Sequence, residues 1–289
     1  GSQYETSSGF TTAGLFVVVG YSGTILTSSD GTTWTSRTYT TSNFLYGVTY
    51  GKSTLVTGGL NGFILTSSDY GTSWDNRTSG TTNHLLGVTF GNNTFVGVGV
   101  DGNIIRSTDN GTTWDNATSP TGNYLYGVTF GNNTFVAVGG NGSIVTSTDN
   151  GTSWDNRTSG TSKQLEGVTY VNSTFVAVGD TGTILTSSNG TSWDNRSSGT
   201  TQTLRGVTYV NNKFEVVGNF GTVLTSSDGI TWTSRNSGST IDLNGVTYGN
   251  SIFVTVGQSS TILTSSDATT WTSRDSNIVN HLTGVIFIE

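Results

Sequence analysis

The stretch Leu165-Glu166-Gly167-Val168-Thr169-Tyr170 runs on through Phe175-Val176-Ala177-Val178-Gly179 and Thr183-Ile184-Leu185-Thr186-Ser187 to Trp193, and it decides the fold because it recurs. The seven Trp residues, Trp34, Trp74, Trp114, Trp154, Trp193, Trp232 and Trp271, are spaced 40, 40, 40, 39, 39 and 39 apart. A fixed period near 40 marks a repeat architecture. Each period holds four short runs rich in Val, Ile, Thr, Tyr and Phe, cut by Gly, Asn and Ser, and no stretch has helical periodicity. Such runs are strands joined by tight turns. Seven units of four strands predict an all-β, seven-bladed β-propeller of four-stranded antiparallel blades.

Composition narrows the function. The 289 residues carry a net charge of -7 with 41 Gly, one Pro and no Cys. No basic cluster offsets that charge, so neither a nucleic acid nor an anionic membrane is an expected partner. No apolar run nears the roughly 18 residues of a membrane span, which predicts no membrane insertion. The missing Cys excludes disulfides, thiolate catalysis and Cys-based metal sites. Neutral Ser, Thr, Asn and Gln supply most of the polarity, a composition suited to an extracellular or cell-surface setting. Residues 1–9, opening on Gly1-Ser2 without a basic-plus-apolar signal pattern, read as a tail or tag remnant, and 10–289 read as a single propeller domain.

The ends complete one blade between them. Leu15-Phe16-Val17-Val18-Val19, Thr24-Ile25-Leu26-Thr27-Ser28 and a run from Trp34 give only three strands, while Gly284-Val285-Ile286-Phe287-Ile288 is an inner strand with no blade after it. The expected closure pairs this C-terminal strand into blade 1, with Phe10-Thr11-Thr12 as a weaker competitor. An unclosed ring would leave a long strand edge open to aggregation.

Before each Trp stands a loop such as Ser67-Ser68-Asp69-Tyr70-Gly71-Thr72-Ser73-Trp74 or Ser147-Thr148-Asp149-Asn150-Gly151-Thr152-Ser153-Trp154. This pattern, Ser-x-Asp-x-Gly-x-x-Trp, resembles the Asp-box (BNR-repeat) propeller families over about residues 14–289. Blades 2, 3 and 4 carry the full form; the other four drop one residue, as in Ser28-Ser29-Asp30-Gly31-Thr32-Thr33-Trp34. The resemblance implies the fold but not one function, since such loops occur in sialidases, assembly factors, sorting receptors and lectins. A carboxylate accepting backbone N–H bonds inside a turn, above a packed Trp, assigns Asp30, Asp69, Asp109, Asp149, Asn189, Asp228 and Asp267 a structural role. One carboxylate per loop is too few for calcium; no metal and no cofactor is expected.

The outer run after Trp supplies Arg37, Arg77, Arg157, Arg196, Arg235 and Arg274, with Ala117 the exception. Trp and Arg can bind sugars, which raises a lectin with repeated Trp/Arg sites. On a strand, though, Trp74 and Arg77 point to opposite faces, so an ion pair or an inter-blade contact is the expected role of the Arg. Eleven Asn-x-Ser/Thr sequons, Asn76 and Asn92 among them, would matter only in a glycosylating pathway. Asp101, Glu215 and Asp275 are scattered acids, and no carboxylate pair stands out; a degenerate glycosidase is the enzymatic alternative to a non-enzymatic chain.

Against this constant frame, two stretches vary between units. One flanks the constant Leu before each inner strand, from Phe44 and Tyr46 through His84 and Leu86 to His281 and Thr283; the other is the turn between second and third strands, from Tyr21-Ser22 to Gln258-Ser259. In an antiparallel meander both emerge on one rim, where loops on a rigid scaffold carry binding residues. The candidate ligand-binding residues are Tyr21, Phe44, Tyr46, His84, Tyr124, Tyr126, Glu166, Arg205 and Asp242: aromatics on one arc, charges on the other. They predict a propeller that binds a glycan or protein ligand through its variable rim, the other reading being a self-assembling or designed scaffold without a specific ligand.

Overall fold

The computed structural model describes residues 14–289; the proposed tail and the competing Phe10–Thr12 strand lie outside the described residues. Seven four-stranded antiparallel sheets form a ring. In blade 5 the order from axis to rim is Leu165–Val171, Thr174–Gly179, Ile184–Ser187 and Asp194–Arg196. Blade 1 consists of Leu15–Gly20, Ile25–Ser28 and Thr35–Ser36, with Leu282–Ile288 as its inner strand. Leu15 pairs with Ile288 and Val19 with Gly284, so the C-terminal strand closes the ring. No helix among the described residues is long and apolar enough to cross a membrane.

The core lies in the seams between blades. Val136, Val138 and Ile144 of blade 4 pack on Leu165, Phe175, Ala177 and Leu185 of blade 5, all essentially buried. Near the axis the inner strands meet through glycine. A Cβ on Gly47 would lie 3.3 Å from the Gly87 Cα, and one on Gly87 would lie 3.3 Å from the Gly127 Cα. Side chains there would force the blades apart.

The Ser-x-Asp loops behave as their chemistry requires. Ser73 N–H donates to Asp69 Oδ1 at 2.9 Å, Ser73 Oγ–H to Oδ2 at 2.6 Å, and Gly71 N–H to Ser67 Oγ at 2.9 Å. The Trp below is core: Trp154 donates Nε1–H to the Gly151 carbonyl at 3.1 Å and packs on Phe135, ring centroids 6.4 Å apart. Each outer-strand Arg reaches its own blade rather than a neighbour. Arg157 Nε–H donates to Thr146 Oγ1 at 2.8 Å, and its guanidinium pairs with Asp155 at 3.3 Å. Where blade 3 has Ala117, Arg106 on the third strand makes the inter-blade contact instead, donating to the Asn150 carbonyl at 3.0 Å.

Candidate functional site

Every inner strand breaks register at one point. Leu125 pairs with Gly139 and Gly127 with Val138, which leaves Tyr126 as the extra residue of a bulge; blades 2, 3, 5, 6 and 7 repeat this between Leu and Gly. In blade 1 the same shift leaves Thr283 unpaired. Bulges turn a side chain away from the regular pleat. Here they bring Tyr46, Leu86, Tyr126, Glu166, Arg205, Asn244 and Thr283 to the walls of one cavity of about 440 Å³ at the mouth of the central channel. Tyr21, Gln164, Gln258 and His281 complete the lining. A narrower space of about 240 Å³ continues down the axis past the glycines.

The two variable stretches are stitched together by the backbone. Leu60 N–H donates to the Phe44 carbonyl at 3.0 Å, and Gly140 N–H to the Tyr124 carbonyl at 2.8 Å, with the same bond in each blade. The preceding Gly59 permits this approach, since a Cβ there would lie 2.1 Å from the Phe44 oxygen. Side chains then link neighbouring blades. Asn61 N–H donates to His84 Nδ1 at 3.0 Å, Ser259 N–H to His281 Nδ1 at 2.8 Å, and Phe220 N–H to Asp242 Oδ1 at 2.9 Å. The Ser-x-Asp loops stand at the opposite end: Asn110 reaches the Lys52 carbonyl in the turn between inner and second strands.

Of the nine residues singled out from sequence, five line the cavity: Tyr21, Tyr46, Tyr126, Glu166 and Arg205. The other four surround it. Phe44 stacks flat on Tyr21 with centroids 3.9 Å apart, and Tyr124 meets Tyr126 edge-on at 6.2 Å. His84 holds the Asn61 turn, and Asp242 is engaged by Phe220 and Gln258. Leu86, Gln164, Asn244, Gln258, His281 and Thr283 also line the cavity. They lie in the two variable stretches, five equivalent to Tyr124 or Tyr126 and Gln258 equivalent to Tyr21, and that equivalence is the sequence sign for them.

The cavity is chemically two-sided. Tyr46, Leu86 and Tyr126 form an apolar arc, and Glu166, Arg205 and Asn244 a polar one. Glu166 Oε1 accepts from Gln164 Nε2 at 2.6 Å, and Arg205 Nε–H donates to Asn219 Oδ1 at 2.6 Å. Burial raises the Glu166 carboxyl above the usual range, opposed by the Gln164 bond and Arg205 and reinforced by Asp180. Burial also raises the phenols of Tyr46 and Tyr126, the latter helped by the charge of Glu166.

No family model and no curated protein sequence matches the chain. Solved structures share its architecture. One described as YCF48 bound to D1 peptide matches with a TM-score of 0.70 at 20% identity, covering 86% of this chain and 86% of that one. YCF48 from Cyanidioschyzon merolae matches with a TM-score of 0.67 at 17% identity, over 85% of this chain and 95% of that one. The computationally designed Ika8 protein matches with a TM-score of 0.64 at 11% identity, over 93% and 96%. At such identities the likeness establishes a shared fold.

Proposed function

We propose that this chain is a non-enzymatic, protein-binding propeller that takes one peptide segment of a partner into the mouth of its central channel. The carrying observation is the set of seven bulges, which aims seven side chains of six kinds from one repeat position into a single cavity. Its volume suits a few side chains of a ligand. The structure described as YCF48 bound to D1 peptide offers a precedent for peptide binding on this fold. Glu166 is the one carboxylate lining the cavity among the described residues, which supports binding over the paired-carboxylate chemistry of a glycosidase. A glycan at the same mouth is the second reading, favoured by the mixture of Tyr rings and amides. Against it, Tyr21 already has one ring face covered by Phe44. The repeated Trp/Arg lectin is disfavoured by burial of Trp34, Trp74, Trp114 and Trp154 to 9% exposure or less. Kinship with the Asp-box families and an extracellular or cell-surface location belong to the same proposal, resting on the loop chemistry and the neutral surface; surface labelling of producing cells would check the location.

Selection of a random displayed peptide library on the immobilised chain, followed by calorimetry, tests the function. One peptide per chain is expected, with Tyr46→Ala or Tyr126→Ala weakening binding by about 1 to 3 kcal/mol and Arg235→Ala on the outer strand leaving it unchanged. Failure to select any peptide while a glycan array gives a signal would move the assignment to the sugar. Silence in both would leave a scaffold without a specific ligand.

A further inference from the structure

Among the described residues, Glu166 is a carboxylate without an ion-paired cation. Its bulge turns it into the channel mouth, where the neutral Gln164 amide is its one hydrogen-bond donor among those residues. The ion pairs among the described residues join Arg77, Arg157 and Arg196 to Asp75, Asp155 and Asp194 on the outer strands. Arg205 lies on the next inner strand, yet it forms no ion pair with Glu166, and Asn219 engages its Nε–H. The groups that bear on Glu166 are therefore Gln164 on its own segment, Arg205 on the following blade, Asp180 in the adjacent turn and Tyr126 on the preceding blade. Two acids stand against one guanidinium, in a chain of net charge -7.

Two phenol rings line the same cavity, Tyr126 on the blade next to Glu166 and Tyr46 three blades away. Tyr46 and Tyr126 meet Tyr21 and Tyr124 edge-on, and among the described residues neither is in a face-to-face stack. Aromatic faces beside a desolvated carboxylate form a receptor for a cation, by ring quadrupole and charge together. We propose that the channel mouth takes the ammonium or guanidinium of a basic side chain, with Glu166 as counter-ion and Tyr46 and Tyr126 as walls. This rests on the peptide reading and specifies the residue the peptide must present. Arg205 then opposes the ligand and limits its affinity.

Calorimetric titration of the whole chain with acetyl-Gly-Lys-Gly-amide, and with versions carrying norleucine or Glu in place of Lys, tests the assignment. At pH 7 the Lys peptide is expected to bind at least tenfold tighter than either, and butylammonium chloride should compete with it. Glu166→Gln should bring the Lys peptide to the level of norleucine, Arg205→Ala should tighten it, and both variants should keep the parent melting curve. Acidification should weaken the Lys peptide more in the parent chain than in Glu166→Gln, the difference isolating Glu166 from His281 in the same lining and from Asp180 beside it, and leave norleucine unaffected. Equal binding of Lys and norleucine overturns the cation assignment while leaving a peptide site in place. Tighter binding of the Glu peptide gives the site to Arg205 instead. No binding by any of the three at millimolar concentration overturns the peptide reading itself.

Discussion

Glu215 stands where the other six blades have valine: Val17, Val56, Val96, Val136, Val176 and Val254 pair with the same position of the third strand as Glu215 does with Thr225. It is fully buried, and neither oxygen has a hydrogen-bond partner among the described residues. Burial drives its carboxyl well above the usual range, with Lys213 opposing. A raised pKa in the folded state means stability that is full below the unfolded value near 4.5 and lost as pH rises toward the folded one. Glu215→Val is therefore expected to stabilise the chain at pH 7 by about 1 to 3 kcal/mol, the cost of an unsatisfied buried polar group. Melting curves from pH 4 to pH 8 check this, and parallel curves for parent and variant would show that Glu215 does not titrate as a buried acid. The signal was present in the sequence: Phe214-Glu215-Val216-Val217-Gly218 aligns with Phe135-Val136-Ala137-Val138-Gly139. Taken by residue type alone Glu215 is one of several scattered acids; only the repeat alignment places it at a core position.

At the scale of the strand and loop, the Ser-x-Asp turn acts in the opposite direction with pH. Hydrogen bonds from the Ser153 hydroxyl and backbone hold Asp149 down to about 2, and those from Ser73 do the same for Asp69. A lowered pKa contributes stability above the unfolded value near 3.8, lost as pH falls through about 2. Asp149→Ala should lower stability by about 1 kcal/mol through lost turn bonds and flatten the acid limb of the melting profile. An unchanged acid limb would show that the turn holds its shape without the carboxylate. This element was fully legible, because its donors and acceptor lie within five residues of one another. The bulges were not. The pattern Leu-x-Gly-Val showed a variable residue between two constant ones, yet its displacement depends on pairing Leu125 with Gly139 and Gly127 with Val138. That is why the sequence places Tyr46, Tyr126, Glu166 and Arg205 on one rim but does not show their convergence on one cavity. Phe44 and Asp242 show the reverse: their residue types suggest direct ligand contact, while Phe44 packs on Tyr21, Asp242 accepts from Phe220, and neither lines the cavity.

For the whole ring, what matters is how a linear chain of seven nearly independent units becomes one body. Six blades are continuous in sequence, and one is assembled from both ends, with Leu282–Ile288 as the inner strand of blade 1. Thr283 adds side-chain bonds to the carbonyls of Val19 and Leu45, at 3.1 and 2.7 Å, tying the last strand to two blades. Asn244 donates to the Leu282 carbonyl at 2.7 Å from the other side. Removing residues 282–289 takes the inner strand from blade 1, uncovers Val17 and Val19, and exposes an unpaired edge; aggregation or a large fall in melting temperature is expected. A permuted chain with residues 282–289 joined ahead of Gly14 separates loss of the strand from loss of the closure. There blade 1 is complete and its edge covered, but first and last blades are joined only by non-covalent contacts, chiefly the seam of Val254, Val256 and Ile262 against Phe16 and Leu26 and the Asn244 bond to Leu282. This permuted chain should stay soluble and melt below the parent and above the truncated form, because seam packing survives while the covalent link across it is gone. A truncated chain with the parent's melting curve would mean that another segment supplies the inner strand. A permuted chain as unstable as the truncated one would mean that closure, rather than completion of blade 1, holds the ring together.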